Sequence, residues 1–588
     1  MERRLDSESW WQAGFIASLM FLGAAFAYLG WVSVDDGDQG QPELVLASSP
    51  TASTSATQAA DTRLRYSGTL PDAVDPSEFV SVALGDEVDI AFGIGVAGDE
   101  GALVVADFVV IVSPETGLYE LSEEQVEAIF RGAVGNWSEV GGLDQPVTAV
   151  AGMLADLWLL ELWFGARHPA LAIVGSYEDA VALIAEDMGA VALVPFEFVD
   201  ASVVAIAVEG RDPVRFLADL ADWPYREFVT VNASTPLGME NIARVRSTLA
   251  PSHSQPATIV LTGDILQSRC TLDKIRATGD WAAALRTPVG EYLASADLAF
   301  GSLDGAIHDI AEPYGCVQIT NLSSPPEVIE ALTVAGIDGL TVATNHIFDC
   351  GVIFCGNQAF LRTLELLNGS GIKTWGGGRN LSEALQPGIF EVNGVRFGIL
   401  GFDDVAAYAF EATEDEPGTA PLDDDYTEEL AAGEPSFFRP AEELSLNRFQ
   451  STIESLAADV DVVLVQVQSG TEETHIPSVR SLKALPIAVT AGATVVIGNQ
   501  AHWVQAVDYA PDNFVAYALG NFIFDQTRAP EFTEGVLAET IFHGDRLVNI
   551  RLRPYVIVDQ YRPEFVAGER ELKILGDIYE ASGGLPPR

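Results

Sequence analysis

Short apolar runs recur along the chain, and most break directly into a polar or glycine-containing turn. Between residues 64 and 240 the runs DIAFGIGVA (89–97), ALVVADFVVIVS (102–113) and ASVVAIAVEG (201–210) read as strands. They alternate with stretches of helical period, LSEEQVEAIFRGAV (121–134) and the first part of SYEDAVALIAEDMGAVALVPF (176–196). Ser122 is the predicted cap of the 121–134 helix, Gln125 completes a capping box, and Gly132 is its stop. Strand–helix alternation of this kind predicts an α/β domain. A polar stretch bounded by Pro251 and Pro256 ends the region, so a second domain is placed at 257–575.

In that second region seven apolar runs end in polar turns: TIVLTGD, DLAFGSLDG, DGLTVATNH, RFGILGFDD, DVVLVQVQSG, TVVIGNQAH and FVAYALGNF. Helical stretches such as PPEVIEALTVAG and PSVRSLKALPIAVTAG lie between several of them. Asp264, Asp304, Asn345, His346, Gln468, Gln500, His502 and Asn521 therefore all stand just past strands. In α/β sheets chemistry collects at the carboxyl ends of strands. A lone Asp or His after a strand is usually a turn former or a helix cap. So many in one domain predict convergence on a common cleft.

The pattern changes at the amino terminus. Ala13–Val34 carries no charge, long enough to span a bilayer as one helix. Trp10, Trp11, Tyr28 and Trp31 flank it as interfacial anchors, Arg3 and Arg4 precede it, and Asp35, Asp36 and Asp38 follow. The expected topology is a cytoplasmic tail (1–12), a transmembrane anchor (13–34) and a polar linker (35–63), with the bulk of the chain outside the cell membrane. A cleaved signal peptide is the alternative, because Ala25-Phe26-Ala27 has the small-residue cleavage form.

The 588 residues carry 31 Lys and Arg against 85 Asp and Glu, a net charge of −54. Such a surface repels phosphate backbones, so no nucleic-acid partner is expected. It attracts divalent cations or basic partners. The stretch from Glu411 to Glu434 is an acidic run without the spacing of a calcium loop, expected to be a solvated insertion.

The residues LSEEQVEAIFRGAVGNWSEVGGLDQPVTAV resemble the PstS-type phosphate-binding proteins of ABC transporters, with Phe130, Gly132, Asn136, Trp137, Gly141 and Gly142 matching. The resemblance implies a small binding-protein-like α/β domain at 64–240. That family holds its oxyanion at a Ser-Gly-Thr turn opening a helix. Here the stretch is Ala151-Gly152-Met153-Leu154-Ala155-Asp156, so the phosphate site is expected to be lost or to take an uncharged ligand.

The second region resembles the CapA-type proteins of poly-γ-glutamate capsule synthesis, which are related to calcineurin-like metallophosphoesterases. The motifs run in order: Thr262-Gly263-Asp264-Ile265 with Arg269, Gly301-Ser302-Leu303-Asp304-Gly305, Ala343-Thr344-Asn345-His346 with Asp349, and Leu519-Gly520-Asn521-Phe522. The resemblance implies a four-layer α/β/β/α sandwich. It implies Asp264, Asp304, Asn345 and His502 as metal ligands, His346 and Asp349 as catalytic residues, and Arg269 and Asn521 as substrate-binding residues. Two positions depart from the family: Gln468 and Gln500 stand where imidazoles are expected, and His475 is off the expected spacing. Amides are poor transition-metal ligands, so any metal should be Mn²⁺, Mg²⁺ or Ca²⁺ rather than Zn²⁺, or there is none.

Cys270, Cys316, Cys350 and Cys355 predict at least one disulfide in an extracytoplasmic protein, and three pairings are open. Cys350–Cys355 is favoured because its short loop closes easily. The leading functional expectation is a membrane-anchored protein of surface-polymer synthesis or export, with the anionic polymer or its synthesis machinery as partner. The alternatives are a non-catalytic envelope-binding protein with a degenerate metal site and a metal-dependent phosphoesterase. If the cleft is active, it belongs to a metallophosphoesterase-like hydrolase or transferase.

Overall fold

The computed structural model describes residues 63–586, apart from 68–70, 72–73, 83–85, 100, 167–168, 217–221, 252, 318 and 425–439. The expected anchor at 13–34, with the tail before it and nearly all of the linker after it, lies outside the described residues. Among the described residues no helix is long and apolar enough to cross a membrane.

The amino-terminal region is built on the strand Ala102–Val112, which is long enough to serve two cores. Its first half pairs antiparallel with Arg226–Ala233, and its second half with Ala190–Pro195. Leu64, Phe79, Phe92, Val231 and Leu249 form a small core at one end, and Val110, Val126, Phe130, Trp137 and Val191 belong to a larger one at the other. The expected helix forms over Glu123–Arg131. Its Ser122–Gln125 capping box is closed in both directions, and Gly132 ends it in the left-handed region.

The carboxy-terminal region holds two sheets. In the first, Lys373–Trp375, Gly339–Thr341, Leu298–Leu303 and Pro256–Ile265 run parallel, and Glu534–His543 and Arg546–Val558 continue antiparallel. In the second, Val395–Asp403, Val462–Gln468 and Val495–Asn499 are parallel neighbours. One core joins the inner faces: Ile259, Leu261 and Phe300 from the first sheet share it with Phe397, Leu464 and Ile497 from the second. Strands buried on both faces need apolar residues at every position, which is why these runs do not alternate. The outer face of the first sheet packs with Leu272, Leu293, Leu332 and Leu367, and that of the second with Phe449, Ile453 and Leu485. All seven of these lie on helices. Helices therefore cover the outer faces of both sheets. The last helix, Glu569–Ser582, runs past the expected end at residue 575.

The two regions share buried contacts. Ile541 and Val548, on strands of the first carboxy-terminal sheet, belong to the larger amino-terminal core. Arg551 holds Asp212 with both guanidinium nitrogens, and Glu539, 1 % exposed, is paired by Arg215. Asn549 accepts the Ala205 N–H at 3.1 Å, and the Tyr579 hydroxyl donates to the Pro114 carbonyl at 2.8 Å. Both cysteine pairs are closed, Cys270–Cys316 and Cys350–Cys355.

One expectation fails at the acidic run. Glu411 is buried with Ala412, Thr419, Leu422 and Asp423 instead of lying in a solvated insertion, although 414–416 are exposed as expected and 425–434 lie outside the described residues. The strand end at Asp403 draws the chain inward: Leu422 N–H donates to the Asp403 carbonyl at 2.9 Å. Burial pushes the Glu411 carboxyl up to about 9, helped by the charge of Asp403.

Two outcomes follow from this packing. Asp212→Ala strips the buried Arg551 guanidinium of its two-pronged partner and leaves it only Glu539 at 3.7 Å, so it should cost about 3 kcal/mol of stability. Scanning calorimetry should show both regions losing stability together, and a transition in which only the amino-terminal region shifts would contradict the shared core. The second outcome concerns pH. Folded protein keeps the Glu411 proton, whereas the unfolded chain releases it near its ordinary value of 4.5, so stability falls as pH rises from there toward 9. Glu411→Gln should raise the thermal midpoint at alkaline pH by about 3 °C or more and change it little at pH near 4.5, as followed by circular dichroism.

Candidate active-site cleft

Register brings the polar strand ends together. Asp264 lies opposite Ser302 on one side and Asn521 on the other, and Asp304 follows one residue beyond Leu303, the partner of Ile265. Ser302 in turn pairs with Thr341, four residues before Asn345. In the second sheet Asp403, Gln468 and Asn499 share one register line. The sheets meet where the Gln500 N–H donates to Asp264 Oδ2 at 3.3 Å.

His502 sits at the centre. Asn521 Nδ2 donates to the Phe532 carbonyl at 3.0 Å, which turns its Oδ1 toward His502 Nδ1 at 2.9 Å. The same ring nitrogen lies 3.5 Å from Asp264 Oδ2. Burial disfavours the imidazolium, but Asp264, Asp304 and Glu472 outweigh it and raise His502 to about 9. Both Gln500 and His502 have positive φ, 80° and 58°, a backbone that side-chain-bearing residues seldom adopt and that recurs at functional sites.

His346 and Asp349 form the second half of the cleft. His346 Nδ1 donates to Asp349 Oδ2 at 2.8 Å, and that oxygen also accepts the Leu322 N–H at 2.7 Å. His346 keeps 22 % of its side chain exposed, so its other nitrogen is available. Burial lowers its basicity, while Asp349 and Asp304 raise it further, and the net shift is upward. Asp304 is fully buried. Burial, with the charge of Asp264, pushes its carboxyl up to about 6 against the opposing pull of His346 and His502.

Two predicted residues take other roles. Arg269 was expected to bind substrate. Its Nε and Nη2 instead bind the two oxygens of Asp525, and its Nη1 donates to the Ile319 carbonyl at 2.6 Å. Asn521 was expected to touch substrate, but both ends of its amide are engaged, so it positions His502. The two amides meet: Gln468 Nε2 donates to Gln500 Oε1 at 2.9 Å, and Gln500 Nε2 reaches Glu472 at 3.3 Å. His475 donates from Nδ1 to the Val504 carbonyl and packs on Trp503. Sequence reading missed Glu472, which lies in a loop and follows no strand directly. It also missed Asn499, buried with neither amide atom partnered, although Asn499 directly precedes Gln500 at a strand end.

The donor set bears on metal binding. Asp264 Oδ1, both carboxylate oxygens of Asp304 and Asn345 Oδ1 are buried without a hydrogen-bond donor. These are hard oxygens, suited to Mg²⁺, Mn²⁺ or Ca²⁺. Among the described residues, however, no three His, Cys, Asp or Glu side chains stand grouped as a metal cage. The chemistry fits a loosely held hard cation, not a preformed zinc centre. A surface cavity of about 650 Å³ lies elsewhere, lined by Arg362, Glu365, Arg379 and Glu383. The cleft is identified by its side chains, not by cavity size.

The amino-terminal turn is also filled from within. Asp156, 6 % exposed, accepts the Met153 N–H at 2.9 Å and the Tyr177 hydroxyl at 2.7 Å. A Cβ on Gly152 would meet the Tyr177 ring at 2.4 Å. A carboxylate thus occupies the donors that an incoming anion would need.

Residues 258–526 match the family of bacterial capsule synthesis proteins, PGA_cap. The chain is 25 % identical over 276 residues to the capsule biosynthesis protein CapA of Bacillus anthracis, covering 46 % of this chain and 61 % of that one. It is 28 % identical over 207 residues to the PGA biosynthesis protein CapA of Bacillus subtilis, covering 35 % and 47 %. A third relative, the phosphate-binding protein PstS of Bacillus subtilis, is 26 % identical over 155 residues, 25 % of this chain and 51 % of that one. The chain spans about half the length of the curated relatives it matches. A phosphate transport receptor from Vibrio cholerae aligns over 28 % of this chain and 73 % of its own at 23 % identity, with a TM-score of only 0.24.

Inorganic phosphate titrated into the protein should give no heat of micromolar binding. Calorimetry that found such affinity would contradict the role given to Asp156.

Proposed function

With residues 258–526 of the CapA type and the amino-terminal region similar to PstS-type binding proteins, we propose a membrane-anchored, extracytoplasmic protein of surface-polymer synthesis or export. The polymer is of the poly-γ-glutamate kind. The uncharged run at 13–34 supports the anchor, and the two disulfides suit an oxidising compartment. The single observation carrying a reactive cleft is the set of buried, donor-free oxygens on Asp264, Asp304 and Asn345 beside two imidazoles.

In this reading Asp264, Asp304, Asn345 and His502 would hold a hard divalent cation, which when bound supplies Lewis-acid polarisation of a phosphoryl or acyl oxygen. Asp349 orients His346 through Nδ1, so its other nitrogen is aimed to give or take a proton at the substrate. Asn521 fixes the ring of His502. Burial of Asp304 excludes water from the carboxylate.

A second reading rests on the Gln468–Gln500 amide pair and the want of a three-residue cage among the described residues. It is a non-catalytic protein that binds the polymer or its synthesis machinery. A phosphoesterase acting on small substrates is the third, and requires the metal.

Metal titration separates these. The wild-type protein should bind Mn²⁺ only weakly, and Gln468→His/Gln500→His should bind it about tenfold tighter or better, because imidazole replaces an amide. Negligible, equal binding by both overturns the metal reading and leaves the binding reading. In a Bacillus strain lacking its own CapA but carrying this chain, Asp304→Asn and His346→Ala should each abolish polymer output. Undiminished output would exclude a catalytic cleft.

A further inference from the structure

The loop closed by Cys350–Cys355 presents Val352, Ile353 and Phe354 to solvent, 54 %, 50 % and 90 % exposed. Three consecutive apolar side chains at one tip are unlike the isolated exposed apolar residues of an ordinary surface. From Cys350 to Gln358 the chain carries no charge, within a protein of net charge −54.

The tip cannot turn inward. Beneath it, Cys350 packs with Ala306 and Ala359, and Cys355 and Ala311 close the edge of that small cluster. The Gly351 N–H donates to Asn321 Oδ1 at 2.9 Å, and the Val352 N–H to the Glu312 carbonyl at 3.2 Å. Gly351 has φ 67°, and a Cβ there would meet the Glu312 carbonyl oxygen at 2.3 Å, so only glycine fits. The opposing segment is itself tied down by Cys270–Cys316. Both disulfides therefore brace a loop whose apolar residues stay half or more exposed among the described residues, Phe354 most of all.

We propose that this loop is a second membrane contact, a rigid apolar tip that enters the interface of a zwitterionic bilayer. The inference rests on the membrane-anchored reading above. A convex tip lacks the recess by which a shaped partner would be gripped, whereas acyl chains require no shape of their own. The missing charge matters equally. Acidic surface is repelled by anionic headgroups, and an uncharged tip can enter a zwitterionic interface at the least cost. Insertion orders little, because the loop is already fixed. Asp349, which orients His346, directly precedes the loop. Seating the tip in the interface would therefore hold the lip of the cleft at the membrane surface, where a lipid-borne or newly exported chain would be met.

The test uses the full chain in phosphatidylcholine vesicles that contain a phosphatidylcholine with a photoactivatable acyl chain. After irradiation, labelled peptides are mapped by mass spectrometry. Label is expected both at 13–34 and at 352–354, and Val352→Ser/Ile353→Ser/Phe354→Ser should lower label at the loop by on the order of tenfold while leaving the rest unchanged. Label at 13–34 alone overturns the loop contact but keeps the anchor. Label at the loop alone keeps the contact and overturns the anchor. Label at neither overturns both. A loop that stays unlabelled while the triple variant loses a dimer in sedimentation would make the tip an interface between two copies, and the proposal would be wrong.

Discussion

The cleft depends on how closely two backbones pass at Gly263 and Gly520. A Cβ on Gly263 would lie 1.8 Å from the Gly520 carbonyl oxygen, so no other residue permits the approach. Gly520 itself has φ 79°. This crossing puts Asp264 in register with Asn521, and Asn521 in turn fixes His502. It also brings Gln500, from the second sheet, onto Asp264.

Once the strand ends are joined, charge must be balanced in a place water hardly reaches. Asp264 and Asp304 are each about fully buried, and burying a carboxylate without a partner is costly. His502 and His346 supply the compensation, and their raised basicity is the other side of the same balance. Asp264 Oδ1, both Asp304 oxygens and Asn345 Oδ1 remain buried without a donor. By contrast, Arg269 is spent on Asp525, where it fixes the start of the helix Arg269–Thr278 behind the cleft.

The amino-terminal region follows a similar rule by a different route. Its anion-binding turn is filled by Asp156, whose carboxylate takes the donors itself. What the region keeps is its packing against the larger domain, through Arg551, Asp212, Glu539 and the shared apolar core. The region is thus internally satisfied at this turn and buried along one flank.

Much of this was written in the chain's local pattern. The capping box at Ser122, the glycine stop at Gly132, the alternation of strands with helices, and the run of polar residues just past strands are short-range signals, set by backbone geometry and hydrophobic burial. They were enough to foresee an α/β fold and to expect Asp264, Asp304, Asn345, His346 and His502 along one edge; the four layers were implied only by the resemblance to the CapA-type family. They could not place Arg269, because a guanidinium pairs with whichever carboxylate the fold brings nearest, and Asp525 is 256 residues away. Glu411 was misread although the strand end at Asp403 is near it in sequence: acidic composition does not show that the chain folds back over that strand end and buries part of the run. Glu472, in a loop past no strand, had no local mark, whereas Asn499 had one in its place at a strand end before Gln500. Sequence determined which elements form and which chemistry stands at their ends; only the tertiary structure decided which of those charges meet, because pairing is a matter of distance across the fold and not along the chain.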